Sequence, residues 1–178
     1  MGDDGAASTA TLVTALGDDA TALRTGLLSA ANRSYERQTV DILTAQDLGR
    51  RALSLLLHFS EQAASASPEG RHALVHLGRT AETAQIVSTE LTSALARRAE
   101  NQRKAALRGT KPIFVGPSPA QRVAAAADLL ASVPFECAEG ARWSAAAERL
   151  QAARERAAST ISPTPTAVPP SLSATRKR

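Results

Sequence analysis

Two stripes of apolar and small residues, joined by a short turn, constrain the fold of this chain more than any other feature. Within each stripe the residues recur at alternating steps of three and four, the spacing that lines one face of an α-helix. The first stripe is Ile42, Ala45, Gly49, Ala52, Leu56, Phe59 and Ala63. The second is Leu74, Leu77, Ala81, Ala84, Ser88, Leu91 and Leu95. Because the turn at 65–70 is so short, the sequence predicts a long antiparallel helical hairpin.

Signals for the ends of helices agree with this hairpin. Ser67 is a suitable cap for the second arm, and Pro68 suits its first position, where an N–H would have no partner. Gly109 and Pro112 end that arm near Arg108. The predicted hairpin core therefore spans residues 36–108.

The chain before the hairpin has a helical pattern of its own, and its end can be interpreted in two ways. The pattern is Leu12, Leu16, Ala20, Leu23, Leu27 and Ala30. In one interpretation Asp18 caps its start, the helix breaks near residues 32–35, and Ser34 caps the next helix. In the other, because the stripe keeps its phase across Ser34, one helix runs from about Asp18 to Ala64, roughly 70 Å at 1.5 Å per residue.

Both arms of the hairpin turn polar at the same distance from the turn. Gln38 and Asp41 take stripe positions on the first arm, and Arg98 and Gln102 take them on the second. One explanation is that the apolar core ends there and water enters, since an unpaired buried charge is costly. The other is a buried polar layer that fixes the register, such as Asp41 with Arg97 or Arg98.

Two further helices are predicted after the hairpin. Ser118 caps the first of them and Gln121 reaches back to it, and the helix ends before Pro134. The second spans about Glu136 to Ala158. The predicted fold is therefore all-α, with four or five helices: the long hairpin packed with two shorter C-terminal helices in one domain, 1–158. Residues 159–178 are rich in Pro, Ser and Thr and are predicted to form a disordered tail.

The first arm carries more leucine than a hairpin can bury. Leu53, Leu55 and Leu57 lie outside the apolar stripe, and a two-helix hairpin covers one stripe per arm. These leucines need another surface, either the C-terminal helices or a partner. They predict a protein–protein interface and a non-enzymatic interaction or scaffold protein, with a homodimer as one form of it.

The sequence predicts no catalytic, cofactor-binding or metal-binding residues. His72 and His76 are four residues apart, as in many zinc sites, and His58 lies on the other arm. Both arms turn these histidines away from their shared seam, so they are expected to be solvated. Cys137 is the only cysteine, which excludes a disulfide within the chain and a cysteine zinc cluster.

A basic stretch supports an alternative function, a DNA-associated accessory protein without sequence readout. Arg97, Lys104 and Arg108 share one helix face and could follow a phosphate backbone. The net charge of +4 is weak support for this function. Only three of the 21 basic residues are lysines, Lys104, Lys111 and Lys177, and the rest are arginines. Heavy use of Arg and Ala is typical of a GC-rich, bacterial genome.

The expected location is the cytoplasm. The first residues lack the basic and apolar regions of a signal peptide, and no apolar run is long enough to span a membrane.

Overall fold

The computed structural model describes residues 8–29, 34–108 and 116–160, with only the backbone of Arg108. These residues form five α-helices and no strand. The helices are α1 (Thr9–Ser29), α2 (Tyr35–Ser60), α3 (Pro68–Arg108), α4 (Pro119–Leu130) and α5 (Val133–Thr160), with a 3-10 turn at Ala63–Ala66. The all-α prediction is confirmed. Residues 161–178, which hold most of the predicted tail, lie outside the described residues, whereas Ser159 and Thr160 belong to α5.

The turn between α2 and α3 follows the local sequence signals. The Ser67 hydroxyl oxygen accepts a hydrogen bond from the Gly70 backbone N–H at 2.9 Å, and α3 begins at Pro68. A Cβ at Gly70 would overlap the carbonyl oxygen of Ala64 and lie 2.6 Å from Ser65 Cα. The tight return of the chain therefore depends on the missing side chain of Gly70.

The helix before the hairpin is separate from α2. α1 ends at Ser29, and Ser34 caps α2 by accepting a hydrogen bond from the Arg37 backbone N–H at 3.1 Å. Arg51 of α2 binds Asp19 of α1 at 2.6 Å, which requires the two helices to lie side by side. The single-helix interpretation is therefore wrong. The phase of the stripe did not reveal the break, because two separate helices can keep the same phase.

α1 starts earlier than a cap at Asp18 would allow, and it passes through Gly17 without interruption. Gly17 is a packing position. A Cβ there would lie 3.2 Å from Cys137 Cβ, so glycine lets the backbones of α1 and α5 approach closely.

The described helices form four antiparallel rods around one core. α2 contacts α1 and α3, and both α1 and α3 contact α4 and α5. Glu90 of α3 binds Arg122 of α4 at 2.9 Å, and His76 of α3 binds Glu136 of α5 at 2.6 Å. Fourteen residues separate the partners on each side, so α4 and α5 are successive segments of the fourth rod. α1 thus forms one of the four rods, whereas the sequence predicted a fold built from the hairpin and the C-terminal helices.

Small side chains dominate the core and hold the rods close together. Its largest fully buried apolar side chains are Phe59, Leu16, Leu48, Leu77 and Leu130, and much of the remainder is alanine. Since each alanine buries little area, the stability of the bundle depends on close contact of the helix backbones.

The polar stretch of the hairpin contains a buried carboxylate. Asp41 is 3% exposed, and Arg37 Nε lies 3.4 Å from its Oδ1. Farther out, Tyr35 donates a hydrogen bond to Gln102 at 2.7 Å, and the Arg98 guanidinium lies 4.5 Å from the Tyr35 ring centre. Asp41 is therefore buried, as the buried-layer explanation expects, whereas its pairing with Arg97 or Arg98 stays a prediction.

α5 is longer than predicted at both ends. It begins at Val133, because Pro134 is tolerated in the first turn of a helix, and it continues to Thr160. From Arg149 to Thr160 every residue except Gln151 is exposed. The last turns of α5 therefore extend beyond the bundle.

Candidate interaction surface

The three leucines singled out by sequence do not share one environment. Leu53 and Leu57 are 49% and 56% exposed, whereas Leu55 is half-buried against the core. At about 100° per residue, Leu55 lies about 160° from each of the other two around α2. The prediction that all three face a partner is therefore corrected for Leu55, whereas Leu53 and Leu57 remain without cover.

α3 provides the other side of this surface. Gly49 of α2 lies against Ala84 of α3, with 3.5 Å between the Ala84 Cβ and a Cβ built on Gly49. The helices are antiparallel, so six residues along α2 correspond to six residues back along α3. Gly78 is therefore level with the space between Leu53 and Leu57. A Cβ added at Gly78 would meet no heavy atom within 4 Å, so α3 presents an open notch beside the two leucines.

Exposed charges border the notch on both helices. The same register places Arg50 of α2 within one residue of the level of Glu82 on α3, and Glu61 within one residue of the level of Arg71. We call this surface the α2–α3 face. Its members are Arg50, Leu53 and Leu57 on α2, Glu61 directly after the end of α2, and Arg71, Val75, Gly78 and Glu82 on α3. All are exposed except the half-buried Gly78.

The histidines near the turn serve different roles from those expected. His76 is only partly exposed, and its Nδ1 lies 2.6 Å from the Glu136 carboxylate of α5. The exposed His72 stacks on Trp143, with 4.8 Å between ring centres. The expectation of solvated histidines is therefore wrong for His76, because a fourth rod packs on the side of α3 that faces away from the hairpin. Among the described residues, no three side chains of His, Cys, Asp or Glu gather where they could hold a metal ion.

Cys137 is 1% exposed and lies between α1, α3 and α5. Burial raises the pKa of its thiol above the usual range, and the nearby carboxylates of Glu136 and Asp18 act in the same direction. A contact of 3.8 Å with the Thr80 hydroxyl opposes them. The thiol therefore stays protonated near neutral pH, which is unlike the lowered pKa of a catalytic cysteine.

The basic stretch at the end of α3 is already engaged in contacts within the chain. Lys104 Nζ binds the Glu100 carboxylate at 2.6 Å, and the half-buried Arg97 lies beside Gly116. The side chain of Arg108, the third predicted contact, lies outside the described residues. Nucleic-acid binding by this stretch stays a prediction.

Comparison with other proteins adds no functional assignment. No protein-family model, curated protein or solved structure matches the chain. Among the described helices, none combines the length and the apolar character that crossing a membrane requires. A function can instead be argued from the α2–α3 face.

Proposed function

We propose that the chain is a non-enzymatic interaction protein that associates with itself through Leu53 and Leu57. The observation that carries this proposal is the pair of leucines, one helical turn apart, that α1 and α3 leave half exposed. Neighbouring apolar side chains with a polar rim are typical of protein–protein contacts. Transfer of a leucine side chain out of water contributes about 1.5–3 kcal/mol when burial is complete.

The proposal is tested by the mass of the purified chain in solution. Multi-angle light scattering over a concentration series should show a dimer for the native sequence. The double variant Leu53→Glu/Leu57→Glu should be monomeric at the same concentrations, because an interface cannot bury four unpaired carboxylates. Its helical circular dichroism should be unchanged, since both side chains are already about half exposed in the single chain.

Leu28→Glu is the matched control. Leu28 is 58% exposed, but it lies on α1, which is not part of the α2–α3 face. This variant should keep the dimer. A native chain that stays monomeric up to millimolar concentration would contradict self-association, and so would equal weakening by the control and the double variant.

The alternative function, an accessory protein that binds DNA without sequence readout, has its own test. Retention on arbitrary duplex DNA at low salt, lost steeply as salt rises, would support it, because binding to phosphates releases counterions. Lys104→Glu should reduce that retention. A chain that fails to bind duplex DNA at low salt excludes this alternative and leaves the self-association proposal unaffected.

A further inference from the structure

The α2–α3 face is complementary to itself in a way that indicates how two copies would meet. Its charges alternate between the helices. Near one end Arg50 of α2 is within one residue of the level of Glu82 on α3. Near the other end Glu61, directly after the end of α2, is within one residue of the level of Arg71 on α3. Between these charges, the Leu53 and Leu57 side chains on α2 are level with the notch at Gly78 on α3. Each charge on the α2 side thus has an opposite charge on α3 at nearly the same height, and the two leucines have the notch.

Consider a two-fold axis that runs parallel to the helices, along the groove between α2 and α3. Rotation about that axis carries α2 of one copy over α3 of the other and leaves every residue at its original height. Residues that are level across the groove within one copy then face each other between copies. This is the isologous contact that a closed symmetric dimer requires.

We infer that a second copy of this chain docks on the α2–α3 face about such an axis. Leu53 and Leu57 of each copy straddle Gly78 of the other, and Arg50 and Glu61 face Glu82 and Arg71. The inference rests on the proposed self-association and adds its geometry. Within the single chain the two arginines have partners on their own side of the groove. Arg50 binds Asp47, and Arg71 donates a hydrogen bond to the Ala66 carbonyl oxygen.

One register of antiparallel α2–α2 packing fits the charges less well. Packing α2 against α2 of a second copy in the antiparallel sense, with Leu57 opposite Leu43, places Arg50 against Arg50 of that copy. Like charges in direct contact destabilise an interface. The axis along the groove instead gives every charge of the α2–α3 face an opposite partner.

Gly78 provides the first test, because the notch has no role in packing within the chain. Gly78→Ala and Gly78→Gln should both raise the melting temperature of the monomer, since glycine is a poor helix former and the added Cβ meets no neighbour. Only Gly78→Gln fills the notch with a long side chain. Sedimentation equilibrium should therefore show a dimer that dissociates at least tenfold more readily for Gly78→Gln, and a smaller change for Gly78→Ala.

Charge reversal provides the second test. Arg50→Glu and Glu82→Arg should each raise the dissociation constant of the dimer about five- to thirtyfold, because each change disrupts two symmetry-related pairs at the rim. The double variant Arg50→Glu/Glu82→Arg should regain most of the affinity, since it restores opposite charges in the reverse sense. These effects should diminish at high salt.

The outcomes separate this arrangement from the proposed function. If Leu53→Glu/Leu57→Glu dissociates the dimer while Gly78→Gln and the charge reversals leave it intact, self-association stands and this arrangement is overturned. Additive weakening by the two charge reversals, without recovery in the double variant, would also overturn it. A monomeric native chain would overturn both proposals.

Discussion

At the scale of single residues, Cys137 shows how burial, as the largest of several effects, keeps a reactive group in its neutral form. Its position near the start of α5 would favour a thiolate through the helix dipole. Burial has the opposite effect and raises the pKa of the thiol, with Glu136 and Asp18 adding to it. The sequence placed the cysteine at a helix start, but it did not reveal that Gly17 of α1 would cover it.

This raised pKa predicts a loss of stability at alkaline pH. The unfolded chain releases the thiol proton near pH 8.5, whereas the folded chain retains it to higher pH. Above that pH the unfolded state binds fewer protons, so the free energy of unfolding falls by up to about 1.4 kcal/mol per pH unit until the folded thiol also ionises. Urea unfolding under reducing conditions from pH 7 to 10 measures this slope.

Cys137→Ala is the control for that titration. The variant should lack this component of the slope, even though the smaller side chain lowers stability at every pH. Parallel pH dependences for the native chain and the variant would show that the thiol is not protected from ionisation by the fold.

At the scale of elements, the α2–α3 connection combines three short-range requirements in a few residues. Ser67 caps α3, Pro68 starts it, and Gly70 allows the 3-10 turn at Ala63–Ala66 to pass directly beneath the first turn of α3. These requirements are local, so the position of the turn and the start of α3 could be predicted from sequence.

Gly70→Ala should therefore destabilise the protein although alanine is the better helix former. The new Cβ would overlap the Ala64 carbonyl oxygen and the Ser65 backbone, which are not flexible side-chain ends. We expect a loss of about 1–3 kcal/mol in the free energy of unfolding, the usual range for forced backbone shifts. Urea denaturation measures it at a concentration low enough to keep the chain monomeric, with Gly78→Ala as the control. That variant should gain about 0.5–1 kcal/mol at a site with open space. An equal gain at both glycines would contradict the tight turn.

At the scale of the whole molecule, the sequence predicted what depends on neighbours along the chain and missed what depends on packing between rods. The fold class, the end of α3 at Arg108 and the capping box of Ser118 with Gln121 all follow from local patterns. The stripe before Ser34 could not separate a long helix from two packed helices, because both preserve its phase. The burial of Leu55 depends on a rod whose position the sequence did not reveal.

For the candidate interaction surface too, the sequence identified what lies within one helix and missed what depends on a second helix. Periodicity identified Leu53 and Leu57 as surplus apolar residues, since it compares residues within one helix. The notch at Gly78 and the level charges of α3 become visible only when the register between α2 and α3 is known. The His76–Glu136 contact joins α3 to α5, and the pattern within the hairpin carries no information on where α5 packs.

The order of the four rods along the chain also predicts the order in which their contacts form during folding. Three of the contacts between rods join rods that follow each other in the chain. The fourth joins the first rod, α1, to the last, α4 and α5. There Arg24 donates to the Ala127 carbonyl oxygen at 3.1 Å across 103 residues. The entropy of loop closure makes such a distant contact slow to form, whereas the short turn brings α2 and α3 together early. A newly made chain would thus form its hairpin, and with it the α2–α3 face, before α1 packs against α4 and α5. The proposed pairing between chains would then be able to begin before folding is complete.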